Sequence, residues 1–144
     1  MIFSKEQLLS DDQAITASAA STNHIDLGAV GTPHGAGAPI KRDIGKGQPI
    51  PFEVIVTEDF ATLTSLTVAL QVDDDVAFGS PKTIKTSGAI AAADLVAGAN
   101  LFPDLSLPTG ITERYVRLNY TVAGTNASAG KILAGVSMGR QTNV

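Results

Sequence analysis

The stretch from Glu113 to Gly139 limits the fold more than any other part of the chain. In Glu113-Arg-Tyr-Val-Arg-Leu-Asn-Tyr-Thr-Val-Ala123, the residues Val116, Leu118, Tyr120 and Val122 fall on one side of a pleat. Tyr115, Arg117, Asn119 and Thr121 face the other way. After the break from Gly124 to Gly130, Ile132, Ala134, Val136 and Met138 alternate with Lys131, Leu133, Gly135 and Ser137. Side chains of a strand repeat every two residues, so each run is a strand with one buried face. Two such runs around a glycine-containing break predict a β-hairpin, with Val136 and Met138 in the core and Ser137 outward. A lone hairpin is marginally stable in water, so the rest of the chain has to cover its apolar face.

Composition says what that cover is made of. A hydrophobic fraction of 44% with 17% charged residues belongs to a globular chain. Its 144 residues are the size of one domain. With five Phe, two Tyr and no Trp, the core is built from aliphatic side chains. The net charge of −4 argues against a nucleic-acid or anionic-membrane surface, which needs basic residues. No cysteine is present, which removes disulfides, thiol catalysis and Cys-ligated zinc. The first residues, Met-Ile-Phe-Ser-Lys-Glu, do not read as a signal peptide, and no apolar run approaches the ~20 residues of a membrane span. A soluble product of a cytoplasm is the expectation.

Along the chain, Ser4-Lys-Glu-Gln7 has the pattern of a capping box, which allows one helical turn. Residues 1–21 as a whole read as an irregular N-terminal arm. Ile25 and Leu27 begin a short strand, and regular pattern then stops from Gly28 to Pro51. Six Gly and four Pro punctuate that stretch, which also carries Lys41, Arg42 and Lys46. A structureless loop of this length is either a mobile surface loop or a contact segment ordered by a partner. Alternation returns at Phe52, Val54 and Val56, again at Leu66, Val68 and Leu70, and around Thr83 to Thr86. Asp73-Asp-Asp75 is an acidic turn, Ala91 to Ala97 one helical turn stopped by Gly98, and Asn100 to Leu107 extended. The sum is about eight short strands in one all-β domain, an antiparallel β-sandwich or jelly roll.

Chemistry is hard to find in it. Gly135-Val-Ser-Met-Gly139 matches the G-x-S-x-G nucleophile elbow, which needs an Asp and a His further on. Only five residues follow, neither type is among them, and both histidines (His24, His34) lie far upstream. Gly45-Lys-Gly47 lacks the spacing of a phosphate loop. Three adjacent Asp in a strand end cannot all face one cation, and two isolated histidines have no metal-ligand spacing. The expectation is a protein that is not an enzyme and carries no cofactor and no metal.

The sequence resembles the capsid cement (decoration) proteins of podovirus-type tailed bacteriophages, the family met in Bordetella phage. The resemblance rests on Ser10-Asp-Asp-Gln-Ala-Ile-Thr16, Ile25-Asp-Leu-Gly28 and Pro39-Ile-Lys-Arg-Asp-Ile-Gly-Lys-Gly47. It continues in Leu63-Thr-Ser-Leu-Thr67, Glu113-Arg-Tyr-Val-Arg-Leu118 and Tyr120-Thr-Val-Ala-Gly-Thr-Asn126. It implies a jelly-roll protein on the outer capsid surface of the virion, assembled in the bacterial host's cytoplasm. Such a protein clamps adjacent major capsid protein subunits and commonly forms a homodimer or homotrimer. It would have no nucleic-acid or membrane partner. Lys41, Arg42 and Lys46 are the expected partner-binding residues, set against acidic capsid groups. The competing expectation is a carbohydrate- or receptor-binding β-sandwich of a phage tail or adhesin, against which the scarcity of aromatic residues speaks.

Overall fold

A computed structural model describes residues 2–40 and 49–139. Its strands are β1 (Phe3–Ala14), β2 (Ala19–Ala20), β3 (Ile25–Asp26), β4 (Ile50–Asp73), β5 (Lys82–Ala91), β6 (Ser106–Leu107) and β7 (Tyr115–Ser137). The only helical turn among the described residues is 3-10, at Ala92–Asp94. Its place agrees with the turn expected before Gly98. The fold is the expected all-β, antiparallel one, but its strands are arranged differently from the expected hairpin.

Residues 115–137 form one strand of 23 residues, and its two runs do not pair with each other. Both pair with β4, which is 24 residues long, in a single antiparallel ladder from Phe52↔Val136 to Asp73↔Tyr115. The break from Gly124 to Gly130 is therefore a bend and not a turn. Fully extended, 24 residues would span about 80 Å. A 144-residue domain has a radius of gyration of only about 15 Å. The ribbon must fold over, and its register shifts mark the place, four of them between Val56 and Ser65. Such irregularities raise the local twist and bend a ribbon.

Two glycines of β7 shape that bend. Gly130 has φ +135, and a Cβ there would lie 2.3 Å from the Phe60 ring. Gly124 has φ +82, and a Cβ there would collide with the Thr64 side chain. Opposite them Thr62 takes φ +74, and its hydroxyl meets the Asn126 carbonyl at 2.7 Å and the Ser128 N–H at 3.0 Å. A left-handed β-branched residue is costly, and these two hydrogen bonds offset part of that strain.

The other strands follow the same fold-over. β1 runs beside residues 131–137 of β7 up to the bend, where Ile15 N–H bonds to Gly130 O. The chain then returns as β2 and β3 beside residues 115–120. On the far side β5 pairs with residues 65–72 of β4. The chain next crosses the bend and runs back along residues 52–60, bonding Phe60 to Leu95, Val56 to Ala99 and Phe52 to Leu105. Each half of the ribbon is thus the middle of one layer; where about eight short strands were expected, the described residues form seven, two of them 24 and 23 residues long. Leu66, Val68, Leu70, Val72, Val116, Leu118 and Tyr120 from one layer share a single core with Phe52, Val54, Val56, Ile132, Ala134 and Leu9 from the other.

The N-terminal stretch differs from expectation in the same way. Residues 3–14 are a strand, not an irregular arm, and no helical turn forms at Ser4 to Gln7. Without β1 the second half of β7 would be an open edge, and Leu9 and Ile15, both fully buried, would lose their place in the core.

Candidate partner-binding end of the sandwich

Because both long strands fold at their middles, their four ends lie together at the opposite pole. Ile50 and Asp73 end β4 there, and Tyr115 and Ser137 end β7. The chain leaves one layer after β3 at Leu27 and enters the other at Ile50, so both ends of the loop between them lie at this open end. From Ala29 to Ile40 every residue of that loop is exposed. One closing bond runs from Ile40 N–H to Gly31 O at 3.0 Å, and Ala36 N–H bonds to Pro33 O. His34 lies in this exposed part. Lys41, Arg42 and Lys46 lie outside the described residues.

At this end the layers part around an apolar pocket of about 80 Å³. One layer contributes Ile25, Leu27 and Val116, and the other Ile50, Phe52, Leu107 and Val136, with Gln7 as the one polar member. Around it stand large apolar side chains in water: Met138 is 83% exposed, Ile2 61% and Ile50 37%. Ile2 and Met138 are joined by Met138 N–H to Ile2 O at 3.1 Å. Met138 lies two residues beyond Val136, where the β4–β7 ladder ends at Phe52↔Val136. Val30 and Ile40 of the loop are 48% and 61% exposed. An exposed apolar cluster with a polar surround is the usual mark of an interaction surface.

Met138 was expected in the core and is not there. It keeps the core phase of β7, but the phase runs on past the last residue that anything covers. Val136, also expected in the core, is half-buried on the pocket wall. Ser137, expected to face outward, is 3% exposed, and its hydroxyl has no hydrogen-bond partner among the described residues. A nucleophilic serine needs a hydrogen-bonded base and access, and among the described residues Ser137 has neither. The sequence signal that could have located this end was the apolar run continuing beyond the glycine-punctuated segments, at Ile2, Ile50 and Met138.

Two ion pairs stand near this end. Arg114 forms a two-pronged bond to Asp26, with 2.7 Å from Nε to Oδ1 and 2.7 Å from Nη2 to Oδ2. Lys82 Nζ meets Glu113 Oε1 at 2.5 Å. That hydrogen bond holds the Glu113 carboxyl below the usual carboxylate range and raises the Lys82 ammonium. The three aspartates act as a turn, as expected. Asp73 accepts N–H bonds from Asp75 (3.0 Å) and Ser80 (2.9 Å), which lower its pKa. Asp75 accepts from Ala77, and Asp74 from Arg114 N–H. Among the described residues no three His, Cys, Asp or Glu side chains converge as a metal-ion site would require.

Beside the acidic turn lies the chain's aromatic cluster. His24 stands edge-on to Tyr115 and Phe78, with ring centroids 5.4 and 6.2 Å away. The Arg117 guanidinium lies 4.2 Å from the Phe78 centroid, and Arg114 lies 5.0 Å from that of Tyr115. These cation–π contacts occupy the ring faces that a sugar would stack on.

Among curated proteins none matches the sequence. A family model named Bbp16 does, over residues 9–136, from Leu9 in the core of β1 to Val136 on the pocket wall. That match takes in most of the chain, including the bend, both layers and the loop at the open end. The chain therefore belongs to the Bbp16 family.

Proposed function

We propose that this protein is a phage capsid cement protein, which binds the outer surface of an assembled shell and clamps adjacent major capsid protein subunits. The observation that carries the reading is the apolar open end. A stable two-layer domain leaves Ile2, Ile50 and Met138 in water around a pocket, at the pole where its longest loop begins and ends. Burying such side chains against a partner is favourable by about 25 cal/mol per Å² of apolar surface. The family supports the same reading, since its name points to a protein of Bordetella phage and the sequence resembles phage cement proteins. A cement stabilises a shell by binding the assembled state and not the free subunits. Several modest contacts to neighbouring capsomers add through effective concentration. A homodimer or homotrimer would multiply those contacts in keeping with the shell's local symmetry.

Co-sedimentation with purified capsids, with and without the protein, tests this directly. Cement activity requires saturable binding and a higher temperature of capsid disruption when the protein is present. A chain that stays in the supernatant and leaves heat resistance unchanged is not a cement. Deleting residues 36–47 asks whether the loop contributes: capsid binding and heat protection should both fall.

A further inference from the structure

We infer that the pocket at the open end is a socket for one aliphatic side chain, of leucine or isoleucine size, presented by the protein surface on which this chain docks. The inference rests on the docking function proposed above and adds to it the anchor point and the chemistry of the anchor. Size is the first argument. A cavity of about 150 Å³ holds one benzene molecule, and a pocket of about 80 Å³ is roughly half of that. Three or four aliphatic carbons fit it. Drug-sized ligands need ~300 Å³ or more and do not fit.

The lining is the second argument. Seven of its eight residues are apolar, drawn from both layers, so a guest side chain is surrounded by hydrocarbon. Gln7 is the exception, an exposed amide that can bond the guest's own backbone. The rim is the third. Ile2, Ile50 and Met138 are exposed beside the mouth, and a ring of apolar contacts that excludes water from a central filled pocket is how interface hot spots are built. An exposed methionine suits such a rim, since its unbranched side chain adapts to the surface it meets.

Charge is the fourth. The lining contains no charged residue, and Arg114 with Asp26 and Lys82 with Glu113 are paired within the chain nearby. The attraction inside the socket is accordingly apolar, and salt has little to screen there. A hydrocarbon chain detached from any protein would gain nothing from the Gln7 amide, and a charged group would lose its hydration in the pocket without a partner.

The full chain, labelled at its Ile, Leu and Val methyl groups, tests this by NMR with N-acetyl-leucine methylamide as the probe. Saturable shifts at Ile25, Leu27, Ile50 and Val136 are expected, with none from the alanine or aspartate analogues. Val136→Phe fills the socket from within and should abolish those shifts. On capsids, Val136→Phe and Met138→Glu should each weaken binding about tenfold or more, by the measure of interface hot spots. The loss caused by Val136→Phe should be the same at low and high salt, whereas the charge added by Met138→Glu makes its loss larger at low salt. Met138→Glu lies on an 83% exposed residue, so it keeps the test open if the first variant does not fold. Absence of methyl shifts with the leucine probe overturns the inference, as does unchanged capsid affinity in both folded variants. A leucine-probe response in a protein that ignores capsids leaves the socket standing and removes the cement function. Binding of free hexanoate as tight as that of the leucine amide overturns the assignment to a protein-borne side chain. A monomer–dimer equilibrium abolished by Val136→Phe overturns it in favour of a second copy.

Discussion

The hydroxyl of Tyr120 meets the hydroxyl of Ser10 at 2.8 Å inside the core, joining the two layers across their apolar interface. Ser10 Oγ donates in turn to Gln13 Oε1 at 2.7 Å, which leaves Tyr120 as the donor to Ser10. Gln13 then donates from Nε2 to Ala20 O and accepts from Thr22 N–H. The chain of bonds runs from the centre of β7, through β1, to the returning strand β2. Burial pushes the Tyr120 phenol well above its ordinary pKa, so at neutral pH it keeps the proton it donates.

That direction makes the two partners unequal. Tyr120→Phe removes the first donor and leaves Ser10 still bonded to Gln13, a loss of about 0.5–1.5 kcal/mol. Ser10→Ala leaves a fully buried phenol without a partner, and a buried unpaired group costs about 1–3 kcal/mol. Urea unfolding should therefore rank Ser10→Ala as the more destabilising change, although each substitution removes a single hydroxyl oxygen. Equal losses, or the reverse order, would show that the protons run the other way.

Gly130 and Phe60 make the second test. The ring occupies the space of a Cβ, at 2.3 Å, and the φ of +135 excludes most other residues. Gly130→Ala should destabilise by more than the ~1 kcal/mol typical of a single conformational substitution. Because clash and backbone strain are separate causes, Phe60→Leu should recover only part of the loss. A double-mutant cycle reads the clash as the coupling between the two sites. A cycle with no coupling would mean that the bend relaxes, and the ribbon is not pinned where Gly130 stands.

Some of this fold was legible in the sequence and some was not, and the bend explains the division. The pleat phase of Val116 to Val122 and of Ile132 to Val136 was readable, because alternation depends only on neighbours along the strand. The glycines between the two runs looked like a turn, since a sharp bend and a turn draw on the same residues. The spacing carried the answer: Val122 and Ile132 are ten residues apart, so the apolar phase crosses the break unchanged, as a continuous strand requires. The strand character of residues 3–14 was hidden for a different reason. Its polar and apolar residues show little order, and only pairing to β7 holds them extended. At the partner end, the expectation attached to Lys41, Arg42 and Lys46 came from charge. The apolar cluster could not be inferred without knowing that both ends of two long strands meet.

The third prediction concerns acid. Glu113 has a folded-state pKa below its ordinary value, chiefly because it accepts the Lys82 hydrogen bond, and Asp73 is lowered by N–H bonds led by that of Asp75. For a lowered carboxyl, the stabilisation is fully present above the unfolded pKa and is lost as pH falls through the folded one. Stability should then decline as pH falls from the ordinary carboxylate range through the lowered pKa values of these two groups. Glu113→Gln should lower stability at neutral pH and flatten the acid decline. Lys82 carries the mirror-image effect, since its raised pKa adds stability that is lost only as pH rises through the folded value. Glu113→Gln should flatten that alkaline decline as well. Urea unfolding measured across the pH range would contradict the assignment if the variant and the wild type stayed parallel.

The last prediction separates the two kinds of contact that the proposed capsid interaction would contain. Charges on a loop attract acidic groups over a Debye length, about 10 Å at 0.1 M salt and 3 Å at 1 M, so their contribution fades as salt rises. Replacing Lys41, Arg42 and Lys46 together by Ala should therefore slow association at low salt and leave affinity near the wild-type value at high salt. The apolar contacts of Ile50 and Met138 should behave in the opposite way. Their loss should accelerate dissociation, because affinity differences between related complexes lie mostly in the off-rate. A salt titration of capsid binding, with association and dissociation followed separately, distinguishes them. If the triple variant loses binding equally at all salt concentrations, the lysines and the arginine act through packing, and the electrostatic role of the loop is wrong.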